Sequence, residues 1–212
     1  MKRPKPSASL SDQAYIQLKW MILNQEIPQG TLLNELALVD STGFGRAPIH
    51  HALHRLAYDD LVEILPRKGA QVRIWGDRDL DELVEARLPV EVAVIELACR
   101  RASDQSIDEL QSGLTATPEL IETMDREGLL RLDLWFHAAL AQTTGNAILC
   151  DTAQRLHQRS AQLWSSGVSD RARYQLVYQQ HSDIVEALAE RDAKRARQAI
   201  TTHISIFTEK TK

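Results

Sequence analysis

The chain has 212 residues, is 43% hydrophobic and carries 25 Lys/Arg against 29 Asp/Glu, a net charge of −4. That suffices for one large or two small folded domains. No apolar run approaches the roughly 20 residues that a membrane-spanning helix needs, no apolar signal core follows the basic start, and Cys99 and Cys150 form no CxxC pair. These features exclude a membrane protein and a disulfide scaffold, and they point to the cytoplasm.

Residues 1–10, within "MKRPKPSASLS", read as a disordered tail. A helical pattern over 11–25 follows, with Ser11 as its cap, and "EIPQGTLLN" supplies a turn. A short helix over 34–41 is broken by "STGFG", and "RAPIHHALHRLAYDD" is helical again, with Pro48 in its first turn where a missing N–H does no harm. "LVEILPRKGAQVRIW" alternates about Pro-Arg-Lys-Gly in the manner of a hairpin. Three helices and a hairpin make a winged helix-turn-helix over residues 11–76. After "GDRD" only helical segments remain, at 79–102, 104–124, 126–144, 146–166, 169–190 and 192–209, the first carrying a kink at Pro89. The fold class is mainly α, the second domain (77–210) being an antiparallel bundle of six helices.

Charge divides between these parts. Residues 1–76 hold nine Lys/Arg and seven Asp/Glu, the remainder 16 and 22. In a helix-turn-helix the second helix enters the major groove with its first residues on base edges. Arg46 opens that helix, with Pro48, His50 and Arg55 beyond it, and Lys68 and Gly69 form the hairpin tip that would approach a phosphate or the minor groove. Taken singly, Arg and Lys on an amphipathic helix usually just face water; the ordered set argues for a DNA reader. His50, His51 and His54 lack metal spacing and read as surface or DNA-facing.

The stretch with Gly30, Glu35, Leu38, Gly43, Arg46, Pro48, Ala52, Leu53, Arg55, Leu56 and "LVEILPRKGAQV" resembles the N-terminal domain of GntR-type bacterial transcription regulators. Three positions depart from that family: Leu36 and His50 stand where arginines are usual, and Gly45 replaces the usual Ser. The resemblance implies double-stranded DNA as partner, with an atypical operator or a weaker grip.

In the bundle, polar residues interrupt apolar stripes. Asp133 and His137 lie one turn apart among Leu129, Leu132, Phe136 and Leu140. His181 follows the line of Val177, Ile184, Val185 and Leu188, and His203 that of Ala196, Ala199, Ile200, Ile206 and Phe207. A single buried His is more often a hydrogen-bonded core residue than a ligand. Three, with a carboxylate, fit a divalent transition metal, Zn or Ni first and Mn or Fe next, and leave open positions on the ion.

Residues 79–208 further resemble the FCD ligand-binding domain of the FadR branch of that family, whose members bind metal through Asp-x-x-x-His and two later His residues. "VEARLPVEVAVIELA", with Arg87 and Glu91, and "TTGNAIL" also match it. Six helices suggest the VanR-like subgroup. The resemblance implies a small carboxylic-acid effector near the metal. Arg87 is the first candidate to clamp it and Arg159 the second; a salt bridge from Arg87 to Glu91 or Asp133 is an equal alternative. His157, off the main stripe, reads as partly exposed. The whole describes a homodimeric regulator, commonly a repressor, acting on a pseudo-palindromic operator. A metal sensor, or a metal-dependent hydrolase, is the rival reading, though no general base accompanies the site.

Overall fold

The first helix starts earlier than its apolar pattern indicates. In the computed structural model, which describes residues 9–167 and 170–206, α1 spans Leu10–Leu23 and is capped by Ser9. The Ser9 hydroxyl accepts from the Asp12 amide, and the Asp12 carboxylate accepts from the Ser9 amide. This reciprocal box satisfies two donors that a helix start leaves over, and it places Ser11 inside the helix. Residues 1–8 of the expected tail lie outside the described residues, as do Phe207 and the last helix's expected extension to 209; Ser9 already caps α1 and Leu10 opens it.

The chain divides between Trp75 and Gly76 into two compact units. In the first, α1 is followed by a two-residue strand β1 (Leu32–Leu33), α2 (Glu35–Thr42), α3 (Arg46–Tyr58), and strands β2 (Val62–Leu65) and β3 (Gly69–Val72). Asn34 starts α2 by accepting from the Leu36 and Ala37 amides, and Gly43 ends it with a left-handed φ of 76°. Ala14, Leu18 and Ile22 of α1 and Ile49, Ala52 and Leu56 of α3 are all fully enclosed. The antiparallel sheet has the order β1-β3-β2, with Leu33 opposite Ala70 and Ile64 opposite Ala70 on the other side. β1 joins what reads in sequence as a simple hairpin; two residues are too few to display alternation.

The second unit is helical throughout: α4 (Asp77–Arg101), α5 (Asp104–Gly113), α6 (Thr117–Thr123), α7 (Arg126–Gln142), α8 (Ala147–Gly167), α9 (Arg171–Ala189) and α10 (Ala193–Ser205). The span 104–124, read above as one helix, is two, joined by a 3-10 turn at Leu114–Ala116. Pro118 has no N–H to give to the Leu114 carbonyl, which accepts instead from the Thr117 hydroxyl at 2.7 Å. The count of six on which the subgroup reading rested thus becomes seven α-helices among the described residues of this unit. α5 ends at Gly113, where a Cβ would run into the indole of Trp135 on α7. α4 passes through Pro89 unbroken.

α4 packs against both α8 and α10, α7 against α8, and α9 against α10. Their shared core includes Val94, Ile95, Phe136, Leu140, Ile184, Leu188, Ile200 and Ile204. Cys99 and Cys150 are both free thiols. No helix among the described residues is long and apolar enough to cross a membrane.

Candidate metal centre

The helical repeat sets Asp133 and His137 on one face of α7. α9 brings His181 to the same place and α10 brings His203. The three histidines are at most 5% exposed. One ligand atom from each of the four residues lies within 4.8 Å of all the others.

The orientation of the rings suits a cation. His137 Nε2 and His203 Nε2 face each other at 3.1 Å, and His181 Nε2 is 3.5 Å from Asp133 Oδ1. Two imidazole nitrogens bound to one transition metal at about 2.0–2.1 Å stand roughly 3.0–3.4 Å apart. His203 Nδ1 lies 3.1 Å from Gln180 Oε1, an acceptor that places the ring proton on that side and leaves Nε2 as a lone pair. His137 Nδ1 lies 3.6 Å from Glu91 Oε1. His181 Nε2 is buried with no hydrogen-bond partner, a cost that an ion would remove. The donor set of three imidazoles and one carboxylate therefore fits a divalent transition metal.

Electrostatics favour the same state. Burial pushes the His181 imidazole down to about 3, despite the facing Asp133, and holds His203 well below the usual range. Burial works against the Asp133 carboxylate, but the surrounding imidazoles, His157 first, hold it well below its ordinary value. Ligation needs neutral imidazoles and an ionised carboxylate.

A second layer adjoins the four. Arg87, on α4, is fully buried; its Nε donates to Glu91 Oε1 at 3.0 Å and its Nη2 to His157 Nδ1 at 2.8 Å. His157 Nε2 lies 3.0 Å from Asp133 Oδ2. His157 is only 3% exposed, which corrects its reading as a partly exposed residue. α8 meets α4 and α7 at once, so more than one stripe of it is buried. Ala153, His157, Ser160 and Ala161 form that second stripe, whose small residues carry little hydrophobic signal. Burial again lowers His157, to about 4. Burial raises Glu91, but the Arg87 guanidinium outweighs it and brings the carboxyl to about 2. Arg87 thus makes the Glu91 bridge and borders the four-residue cluster as well. Arg159 sits on α8, partly buried, two residues beyond His157 and about 200° round the helix.

In the first unit, Arg46 is exposed at the start of α3, Pro48 is half-buried, and Lys68 and Gly69 are exposed at the β2–β3 tip. Gly69 has a left-handed φ of 93°, and a Cβ there would press on the Leu33 carbonyl oxygen at 3.2 Å. His50 Nδ1 is 2.9 Å from Glu35 Oε1, which ties α3 to α2. Arg55 donates to Asp12 and lies over the Tyr15 ring at 4.0 Å, so its guanidinium first joins α3 to α1. Leu36, beside Glu35, is 58% exposed.

Comparison with known proteins agrees with both halves. Residues 10–72 match the model of the bacterial regulatory proteins of the gntR family, and residues 82–205 match the FCD domain. The chain is 27% identical over 195 residues to the uncharacterised HTH-type transcriptional regulator YdhC of Bacillus subtilis, covering 91% of this chain and 87% of that one. It is 25% identical over 213 residues to the HTH-type transcriptional repressor RspR of Escherichia coli, covering 96% and 90%. The solved structure of E. coli McbR/YncC superimposes with a TM-score of 0.85 at 22% identity, over 97% of this chain and all of that one. These matched domains and full-length relatives, together with the helix-turn-helix and the helical bundle, show that the chain belongs to the GntR family of DNA-binding transcriptional regulators with an FCD effector-binding domain, and is not an enzyme.

Proposed function

We propose that the protein is a homodimeric repressor whose grip on a pseudo-palindromic operator is set by a small carboxylic acid bound beside a divalent transition metal, Zn or Ni before Mn or Fe. The metal is held by Asp133, His137, His181 and His203; when bound it supplies a Lewis-acidic point of attachment for an anionic oxygen. Arg46 and His50 address base edges, Pro48 sets the helix start, and Lys68 and Gly69 approach the backbone. Arg55, on the reading helix itself, anchors it to α1 through Asp12 and Tyr15. A relative at 25% identity is named a repressor, which supports the sign. Such a regulator works in the cytoplasm.

The observation that carries the effector reading is the charge count around Arg87. With every imidazole neutral, the buried Arg87 and Glu91 and the partly buried Asp133, its side chain 24% exposed, leave the cluster at −1. A divalent ion brings it to +1, and one monocarboxylate then brings it to zero. Buried charge is costly unless balanced. An acid therefore binds the metal-loaded domain and not the metal-free one, with Arg87 as the guanidinium that faces it and Arg159 as the more distant candidate.

The test is a titration of the purified protein against its own upstream DNA, with and without metal, across a panel of small carboxylic acids. The expected result is a shift in operator affinity of about 5- to 150-fold that needs both ion and acid. A comparable shift with metal alone would make the protein a metal sensor. No shift under any combination would overturn the effector reading.

A further inference from the structure

The assignment of four ligands leaves His157 without a role, although it is buried between the cluster and Arg87. We infer that His157 is a positioning residue of this centre: it holds one oxygen of Asp133 so that the other is presented to the ion. This rests on the metal reading above.

Three contacts define the arrangement. A guanidinium only donates, so the 2.8 Å approach of Arg87 Nη2 makes His157 Nδ1 an acceptor. The proton of the neutral ring is then on Nε2, which lies 3.0 Å from Asp133 Oδ2, at hydrogen-bonding distance although the N–H is not well aligned with the oxygen. The other oxygen, Oδ1, is the one that faces His181 Nε2 at 3.5 Å. The carboxylate is divided: one oxygen for His157, one for the ligand cluster. Arg87 is itself fixed by the 3.0 Å bond of its Nε to Glu91, so the chain Glu91–Arg87–His157–Asp133 runs from α4 through α8 to α7.

Direct ligation by His157 is the competing role, and the geometry speaks against it. Glu91, His137 and His157 are themselves close enough to hold an ion. That place already has a positive charge. Arg87 Nη2 lies 2.8 Å from His157 Nδ1 and 3.4 Å from both ring nitrogens of His137. A second cation there would meet the guanidinium at contact distance, where like charges repel strongly in a dry interior. His157 acts through Asp133 instead, as outer partners of metal ligands do.

Two variants of the full chain separate the roles. In His157→Gln the side-chain amide stands where Nε2 was and keeps a donor toward Asp133. In His157→Asn the amide stands where Nδ1 was; it keeps an acceptor for Arg87 and loses the reach to Asp133. Each protein is stripped of metal, checked for folding by circular dichroism, and titrated with Co²⁺ against a competing chelator, with the visible absorption spectrum recorded. The inference expects His157→Asn to bind Co²⁺ about 10- to 100-fold more weakly, with an altered spectrum as Asp133 turns. His157→Gln stays within a few-fold of the parent and keeps its spectrum. Equal loss in both variants would overturn the inference in favour of direct ligation or packing, and wild-type behaviour of both would overturn it outright. Failure of the unsubstituted protein to take up Co²⁺ would remove the metal reading and this one together.

Discussion

His137 Nε2 and His203 Nε2 stand 3.1 Å apart on α7 and α10, from positions 66 residues apart in the chain. Gln180 receives the proton of His203 on the far side of its ring, so the near side is a lone pair aimed at a second imidazole. Such a pair is satisfied by a shared cation. Adding metal to the stripped protein is expected to raise its stability by about 2.7 kcal/mol once free metal reaches 100 times the dissociation constant. His203→Ala or Asp133→Ala abolishes that gain. Thermal melts with and without chelator, paired with elemental analysis, check it; a wild-type protein that melts identically in both would refute it.

Acid destabilises the metal-free protein through the same groups. His157 and His181 titrate at about 4 and about 3 in the fold, against 6.5 for an ordinary imidazole. Between those limits the unfolded chain binds more protons than the folded one, so stability falls as pH falls from about 6.5 toward 4. Glu91, brought to about 2, and Asp133, also lowered, extend the loss further down because their folded-state advantage disappears on protonation. Urea unfolding in chelator at a series of pH values is expected to show midpoints that decline steadily below pH 6.5. A flat profile down to pH 4.5 would contradict the burial of neutral imidazoles.

The Arg87–Glu91 pair is enclosed almost completely. Arg87→Met leaves a buried carboxylate without its cation and should cost on the order of 3–5 kcal/mol, whereas Arg87→Met with Glu91→Leu restores most of it. Denaturant melts of the single and double variants measure this. Additive losses would show that the two residues act separately.

For DNA, Arg46→Ala is expected to weaken specific binding by about 1–3 kcal/mol and leave metal content unchanged. Lys68→Ala should weaken all sequences alike and reduce the slope of log affinity against log salt by about one. Fluorescence anisotropy at several salt concentrations reads both.

Leu36 offers a gain-of-function check. It is 58% exposed at the start of α2, next to the Glu35 that holds His50. Leu36→Arg places a cation beside the reading helix and is expected to tighten DNA binding and steepen its salt dependence. Unchanged affinity on every sequence tried would place Leu36 outside the contact surface.

The four proposed ligands were legible because polar residues interrupt otherwise apolar stripes, Asp133 and His137 together on one and His181 and His203 singly on the others. His157 was not, since α8 is buried on a stripe of Ala153, Ser160 and Ala161 that periodicity of large apolar residues cannot display. Gln180 has no sequence signal beyond its place before His181. The winged fold was legible from its turns, Pro48 and Gly43 above all. β1 has only two residues, and its pairing with β3 depends on a contact distant in the chain. Ser9 and Ser11 are equally good caps by type, and only the reciprocal bond with Asp12 selects Ser9.

One close approach in the bundle gives the molecule an optical gauge. The indole of Trp135 rests on the backbone of Gly113, and Trp135 lies between Asp133 and His137 on the same turn of α7. Sliding or rotation of α7 relative to α5 drags a fluorophore, 39% exposed, across a peptide surface into a different exposure to water. With the other three tryptophans replaced by Phe, the emission wavelength of Trp135 would report any such change of seat without a label.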